Sequence, residues 1–200
     1  MHPPTLHPVI LAVPETDRAL HRREKVKALG RQARRALGLS ARFSAVPLDM
    51  ETLAKDDLGA PMPQGSIYWS LSHKEFFVAA VTAPHPVGID IEMIKPVKDE
   101  LYGRIADAQE WVLAADKNPV AFFRFWTAKE AVLKAIGKGM TALAGCRITQ
   151  IPNDSQMRLS AGGSQWMVTH FRVTEEYLAA VTARDGEVIS WHRIDGFNEK

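Results

Sequence analysis

Apolar residues recur at helical spacing in both halves of the chain. In residues 17–37 they fall at three- and four-residue steps, which is typical of an amphipathic helix, with Asp17 as its N-cap and Gly38 as its C-terminal stop. Residues 120–136 form a second, more apolar helical segment, and residues 107–115 form a shorter one before it. The pattern therefore predicts one long helix in each half.

Short apolar runs predict strands around these helices. A segment rich in proline and glycine, residues 44–65, reads as a loop and separates the first helix from the first run. The predicted strands span residues 67–71, 76–82, 87–91, 146–151, 156–159, 166–173, 177–182 and 188–194. Helices and strands in this order indicate an α+β protein.

Two segments of the chain occur twice. Residues 77–83 read F-V-A-A-V-T-A and residues 177–183 read Y-L-A-A-V-T-A, and R-A-L-G at residues 35–38 resembles K-A-I-G at residues 134–137. Both pairs stand at nearly the same offset and in the same helix-then-strand order. We therefore expect an internal duplication of one α+β unit.

The duplication predicts two similar lobes that pack face to face as one structural unit with a pseudo-twofold axis. The N-terminal lobe would span residues 1–86 and the C-terminal lobe residues 87–200. A cleft between two such lobes is the natural place for a ligand.

The composition is that of a soluble globular protein. Hydrophobic residues make up 46% of the 200 residues and charged residues 24%, which excludes wholesale disorder. The apolar stretch at residues 9–13 lacks the basic start and the cleavage site of a secretory signal. The single cysteine, Cys146, excludes an internal disulfide and suits a reducing compartment. We therefore expect a cytoplasmic protein without a membrane anchor.

The formal net charge of +2 conceals a strongly basic window. Residues 18–35 contain eight basic side chains against the single acid Glu24, a net charge of +7, which leaves −5 for the rest of the chain. Such a patch indicates an anionic partner: nucleic acid, a phosphorylated small molecule or an acidic protein. A solvated helix face without a partner is the alternative.

The segment G-I-D-I-E places two carboxylates on one predicted strand. Asp90 and Glu92 alternate with Ile89 and Ile91, so both acids point to the same side. Two like charges repel unless a cation lies between them, and Mg²⁺ is satisfied by one or two carboxylates, water and phosphate. The alternative is a polar strand face that discourages edge pairing, with Lys95 as its salt-bridge partner.

Two further groups of residues carry candidate chemistry. Glu130 and Lys134 lie one turn apart on the predicted helix, where they form an ordinary ion pair or bind a metal and a phosphate. Ser72 and His73 fall at a predicted strand-to-strand turn, where they bind phosphate or only satisfy the turn's backbone.

Taken together, these motifs resemble the 4′-phosphopantetheinyl transferase superfamily, in the larger monomeric branch typified by the surfactin-synthetase activator. L-S-H, G-I-D-I-E, W-T-x-K-E-A-x-x-K and G-K-G follow one another in that branch's order and spacing, and the likeness covers about residues 22–182. The resemblance implies a Mg²⁺-dependent enzyme that transfers the 4′-phosphopantetheine arm of coenzyme A to a serine of an apo acyl or peptidyl carrier protein. Adenosine 3′,5′-bisphosphate is the implied second product.

The resemblance also implies roles for individual residues. Asp90, Glu92 and Glu130 are the implied ligands of Mg²⁺, for which Mn²⁺ is a possible substitute. The implied coenzyme A contacts are Arg31, Arg35, Ser72, His73, Asp90 and Lys134. The implied catalytic residues are Glu130, Lys134 and Glu110, and the base that takes the serine proton is left open between Glu110, Glu130 and a water molecule.

The chain departs from the family pattern at three places. Ser70 and Lys74 replace the family's asparagine and small residue around the serine–histidine pair. Ala60 stands where many members carry a cation between glycine and proline, and Val26 stands where an arginine is expected. The departures fall on coenzyme A contacts, whereas the metal-binding motif is intact.

Two alternatives accompany this reading. One is a family member that has lost catalysis and only binds carrier proteins. The other is a nucleic-acid-binding protein that uses the basic helix at residues 18–35, which leaves the acidic motifs unexplained. The leading expectation is a monomeric enzyme whose partners are coenzyme A and a carrier protein rather than nucleic acid or membrane. The pathway, fatty acid, polyketide or nonribosomal peptide synthesis, is left open.

Overall fold

The computed structural model describes residues 3–57 and 59–196. The strands are β1 (Thr5–Leu6), β2 (Val9–Ala12), β3 (Tyr68–His73), β4 (Phe77–Ala83), β5 (Ile89–Met93), β6 (Arg147–Asn153), β7 (Gln156–Ala161), β8 (Ser164–Thr174), β9 (Tyr177–Ala183), β10 (Val188–Ile189) and β11 (His192–Ile194). The helices are α1 (Glu15–Arg18), α2 (Arg22–Phe43), α3 (Asp99–Ile105), α4 (Ala108–Trp111) and α5 (Pro119–Ile136), with a 3₁₀ helix at Met140–Gly145. Within these described ranges, no helix combines the length and apolar character needed to cross a bilayer.

Two sheets, each with a long helix on its outer side, build the molecule. The first sheet has the order β11-β2-β4-β3 and the second the order β5-β9-β8-β7-β6. Helix α2 packs on the first sheet and α5 on the second. The inner faces of the sheets share one apolar core, to which Ile10, Val81, Ile91 and Val181 contribute. The predicted α+β fold of two lobes packed face to face is confirmed.

The two sheets repeat one local arrangement. The order β2-β4-β3 corresponds to β5-β9-β8, and each of these neighbours is antiparallel. The repeated segments are β4 and β9, which are buried along their whole length beneath α2 and α5. Each unit therefore runs from one strand (β2 or β5) through a long helix to an antiparallel pair of strands (β3 and β4, or β8 and β9), which agrees with the predicted duplication.

The last strands of the described chain return to the first lobe. Strand β11 pairs in parallel with β2, with His192 opposite Val9, and β10 pairs in the same way with β1. The returning segment thus links the two lobes by backbone hydrogen bonds. The division of the chain into lobes at residue 86 stays a prediction.

Several predicted helix bounds are wrong. The helix predicted over residues 17–37 is broken after α1, and α2 begins only at Arg22, whose φ of 42° lies in the left-handed region. Gly38 does not end α2, because Ser40 and Ala41 in the next turn are still buried. Helix α3 was not predicted, and the helix predicted over residues 107–115 is reduced to the four residues of α4.

Gly88 allows helix α5 to approach the start of β5. A Cβ atom built on Gly88 would lie 1.8 Å from the carbonyl oxygen of Ala131 and 2.8 Å from the nitrogen of Ala135. Because both atoms belong to the helix backbone, neither can turn away. We expect Gly88→Ala to lower the free energy of unfolding by about 3 kcal/mol, measured by urea denaturation.

The matched control for this substitution is Gly103→Ala in helix α3. A Cβ on Gly103 would meet nothing within 4 Å. Alanine is also favoured over glycine in a helix by about 1 kcal/mol, so this variant should be at least as stable as the wild type. Equal losses in the two variants would contradict the role given to Gly88.

Candidate active site

The candidate site lies where the edge strands of the two sheets, β3 and β5, meet helix α5. The edges are joined by the backbone N–H of Ile89, which donates to Oγ of Ser70 at 3.1 Å. Strand β5 turns Ile89 and Ile91 into the core between the sheets. Asp90 and Glu92 therefore lie on its other face, as the alternating pattern predicted.

Asp90 is buried and partly satisfied. Its Oδ1 accepts hydrogen bonds from Ser72 Oγ at 2.8 Å and from Lys134 Nζ at 2.7 Å. Lys134 also donates to the carbonyl oxygen of Ile89 at 3.0 Å, which fixes the ammonium against the strand. The other oxygen, Oδ2, is buried and has no hydrogen-bond partner among the described residues. A buried carboxylate oxygen left unpaired is costly, so this atom is available to a ligand.

Glu92 already has two donors. Its Oε1 lies 2.8 Å from Nζ of Lys74 and accepts a hydrogen bond from Nε1 of Trp126 at 3.0 Å. Burial is the main cause that raises the pKa of Glu92, and the negative charge of Asp90 raises it further. Lys74 lowers this pKa through its hydrogen bond and its positive charge. The Lys95 partner that the alternative reading expected is thus replaced by Lys74.

Glu130 belongs to the same electrostatic cluster. Burial is the main cause that raises the pKa of Glu130, and the negative charges of Asp90 and Glu92 raise it further. The positive charge of Lys134 lowers it. The three carboxylates predicted to bind a metal therefore interact with one another. Within the part of the chain that the structure describes, no three His, Cys, Asp or Glu side chains form an assembled metal site.

A pocket of about 180 Å³ opens beside this cluster. Glu130, Lys134 and Ser70 line one part of it, and Lys55 and residues 59–61 line another. Sequence reasoning did not single out Lys55. Its place in the site depends on an isolated antiparallel β-bridge between Lys55 and Pro61, which no local sequence motif predicts.

The surroundings of His73 are positively charged. Burial lowers the pKa of His73, and the charges of Lys134, Lys74 and Lys55 lower it further. Ser72 and His73 are the last residues of β3, so their predicted position in a turn is wrong. Their predicted contact with coenzyme A stays a prediction. Of the three lysines, Lys134 and Lys74 are paired with Asp90 and Glu92.

The two predicted arginine contacts lie elsewhere. Arg31 and Arg35, with Arg34 and Arg42 of the same helix, line a groove of about 790 Å³ against residues 46–51. None of the residues described as lining this groove lines the pocket beside Glu130. The role of Arg31 and Arg35 in binding coenzyme A stays a prediction.

Glu110 is engaged in holding the fold. Its Oε1 lies 2.6 Å from Nζ of Lys129 and accepts the backbone N–H of Ile148 at 2.8 Å, and its Oε2 accepts the N–H of Asp107 at 3.1 Å. The last bond completes a capping box at the start of α4. Glu110 is absent from the described lining of the pocket beside Glu130. Its predicted role as a base stays a prediction.

The segment that carries these acids also matches a known family. The family model of the 4′-phosphopantetheinyl transferase superfamily matches residues 86–182, which include Asp90, Glu92, Glu110, Glu130 and Lys134. The chain is similar to this superfamily over that segment, as the motifs predicted.

Three curated relatives are similar to this chain over part of its length. The 4′-phosphopantetheinyl transferase Gsp of Aneurinibacillus migulanus is 32% identical over 99 residues, which cover 48% of this chain and 42% of the relative. Psf-1 of Bacillus pumilus is 29% identical over 148 residues, or 70% and 64%. Sfp of Bacillus subtilis is 29% identical over 122 residues, or 58% and 54%.

These matches confirm the predicted likeness to the branch that contains Sfp. In each of them the chain spans less than two thirds of the relative's length.

Proposed function

We propose that this protein transfers the 4′-phosphopantetheine arm of coenzyme A to a serine hydroxyl of an apo carrier protein. The observation that carries the proposal is the cluster of Asp90, Glu92, Glu130 and Lys134 at the junction of the lobes, within the segment that matches the superfamily. The names of the relatives, which are all 4′-phosphopantetheinyl transferases, support the same reaction.

The residues of the cluster fit a hard divalent cation such as Mg²⁺. Oδ2 of Asp90 is buried without a hydrogen bond, and the charge of Glu130 is opposed by burial and by the two neighbouring acids. A cation held by Asp90, Glu92 and Glu130 would remove both costs, and Mn²⁺ is a chemically similar substitute. When bound, it would neutralise charge on the pyrophosphate of coenzyme A.

In this proposal Lys134 stabilises negative charge and Glu130 accepts a proton. The serine oxygen attacks the β-phosphorus of coenzyme A, and the bond from that phosphorus to the bridging oxygen breaks to release adenosine 3′,5′-bisphosphate. Lys134, held by Asp90 at the edge of the pocket, stabilises the negative charge of the leaving group. Glu130 lines the pocket and has a raised pKa, so we favour it over Glu110 as the group that takes the serine proton, directly or through water.

The proposal includes a monomer in the cytoplasm. Cys146 is buried, and burial raises the pKa of its thiol to about 11, which makes it a poor nucleophile. A free cysteine of this kind is compatible with a reducing compartment and gives no support to a covalent dimer.

The test is intact-protein mass spectrometry of apo carrier proteins incubated with this protein, coenzyme A and Mg²⁺. The panel should contain carriers from fatty acid, polyketide and nonribosomal peptide synthesis. We expect one phosphopantetheine to be added to at least one carrier, and EDTA to abolish the addition until excess Mg²⁺ restores it. Unmodified carriers across the panel, with no binding of coenzyme A by calorimetry, would contradict the proposal.

A further inference from the structure

Lys74 places a cation inside the group of carboxylates. Its backbone N–H donates to the carbonyl oxygen of Phe77 at 2.8 Å, which fixes the residue at the turn after β3. Its Nζ lies 2.8 Å from Oε1 of Glu92, whose side chain is only 14% exposed, while that of Lys74 is 38% exposed. A partly buried acid and a more exposed base therefore share one contact at the edge of the site.

The ammonium of Lys74 acts on more than one acid. It opposes the rise in pKa that burial imposes on Glu92, and it has the same effect on Glu130. These are two of the three carboxylates to which the proposed function assigns a divalent cation. One positive charge of the chain thus already acts on the place that the cation would take.

We propose that Lys74 and the divalent cation compete for Glu92, so that Lys74 sets the metal affinity of the site. The proposal rests on the metal-binding part of the proposed function. Oε1 of Glu92 accepts both Lys74 and Trp126, so a cation can bind this atom only after the ammonium has moved away. At these short distances the ammonium also repels a divalent cation directly.

A groove next to Glu92 can accommodate the side chain of Lys74 after it leaves the acid. The side chain lines this groove of about 500 Å³ together with Glu92, Trp126, Val97 and Leu101. Lysine stems are flexible and lie readily along apolar walls while the ammonium stays in water. Exchange between Glu92 and this groove therefore requires rotation of the side chain and leaves the turn unchanged. In the metal-free protein, Lys74 instead compensates the charge of Glu92.

The experiment measures Mn²⁺ affinity of the full chain by calorimetry in a double-mutant cycle. Lys74→Met keeps the apolar stem and removes the charge, and we expect it to bind Mn²⁺ about tenfold more tightly than the wild type. In a Glu92→Gln background, where the carboxylate that Lys74 contacts is gone, the same substitution should tighten binding by about threefold or less. Lys95→Met is the matched control, because Lys95 lines the same groove and should leave the affinity within about twofold.

Two results would overturn the competition. The first is a Lys74→Met protein that binds Mn²⁺ no more tightly than the wild type. The second is an undiminished tenfold gain in the Glu92→Gln background, which would show that Lys74 acts only as a distant charge.

Thermal unfolding gives a readout that does not involve transfer. Without metal, Lys74→Met should melt at a lower temperature than the wild type because Glu92 loses its partner, and Mn²⁺ should raise its melting temperature by more. A larger shift in the wild type would contradict the proposal. The transfer assay distinguishes failure of this proposal from failure of the proposed function. Transfer activity without the expected change in Mn²⁺ affinity would contradict only the competition between Lys74 and the cation. The expected affinities in all four proteins of the double-mutant cycle, without transfer activity, would contradict only the proposed reaction.

Discussion

Replacing Glu130 by glutamine is expected to reduce phosphopantetheinyl transfer by at least about a thousandfold while the protein stays folded. The amide keeps the size of the side chain but removes the charge that the proposed metal needs and the proton acceptor that the serine needs. The measurement is kcat/KM from the rate of carrier modification. Glu176→Gln, an exposed acid at the turn between β8 and β9, is the matched control and should retain the wild-type rate.

The same variant should be as stable as the wild type or more stable. The pKa of Glu130 is raised above its ordinary value of 4.5, so its charged form opposes folding at neutral pH. Glutamine removes this opposition, and the gain should disappear as the pH falls below about 4, where the carboxyl group is protonated in both states. Transfer within tenfold of the wild type would contradict the role given to Glu130, whatever the stability.

Replacing Lys129 by methionine is expected to lower the free energy of unfolding by about 3–5 kcal/mol. The side chains of Lys129 and Glu110 are only 2% and 5% exposed, and the ammonium lies 2.6 Å from both Glu110 and the carbonyl oxygen of Ile105. Removal of the lysine leaves a buried acid without its counter-charge. Urea denaturation at neutral pH measures the loss.

The control is the pair of substitutions Lys129→Met and Glu110→Leu in one protein. Replacing both charges by apolar groups removes the uncompensated acid, so the double variant should recover part of the loss. It should remain below the wild type, because Ile148 and Asp107 lose an acceptor for their backbone N–H groups. Losses that simply add would show that the two side chains do not stabilise each other.

The part of the site that the sequence predicted rests on local periodicity. Alternation along β5 places Asp90 and Glu92 opposite the buried Ile89 and Ile91, and the structure confirms this placement. The contact of Lys134 with Asp90 was not evident from the helix spacing, which suggested only a pair with Glu130. Local patterns thus determine which face a side chain occupies, and contacts between elements do not follow from them.

The contacts that the sequence did not predict depend on how the sheets meet. Lys74 is adjacent to Glu92 only because the end of β3 lies beside β5, and Lys55 reaches the pocket through its bridge to Pro61. The same limit explains Gly38, which has the residue type of a helix end but lies where α2 still packs on its sheet. Burial of the next turn outweighed the intrinsic preference for a stop.

Strands β2 and β5 occupy corresponding places beside the repeated strands. Val9 lies opposite Ala80 on β4, and Asp90 lies opposite Ala180 on β9, which are equivalent positions of the two repeats. By the same pairing, Leu11 on β2 is the counterpart of Glu92 on β5. The two lobes therefore present an apolar pair and an acidic pair at the same structural positions.

The residues at these equivalent positions differ in their contribution to stability. Val9 and Leu11 are fully buried under α2 and contribute to folding. Asp90 and Glu92 lie on the strand that packs against α5, and burial raises the pKa of Glu92. Buried carboxylates reduce stability, and in the proposed function these two acids would bind the metal, a trade-off common to active sites. The two lobes thus differ in what these positions contribute: core packing in the first lobe, and in the second lobe part of the candidate site.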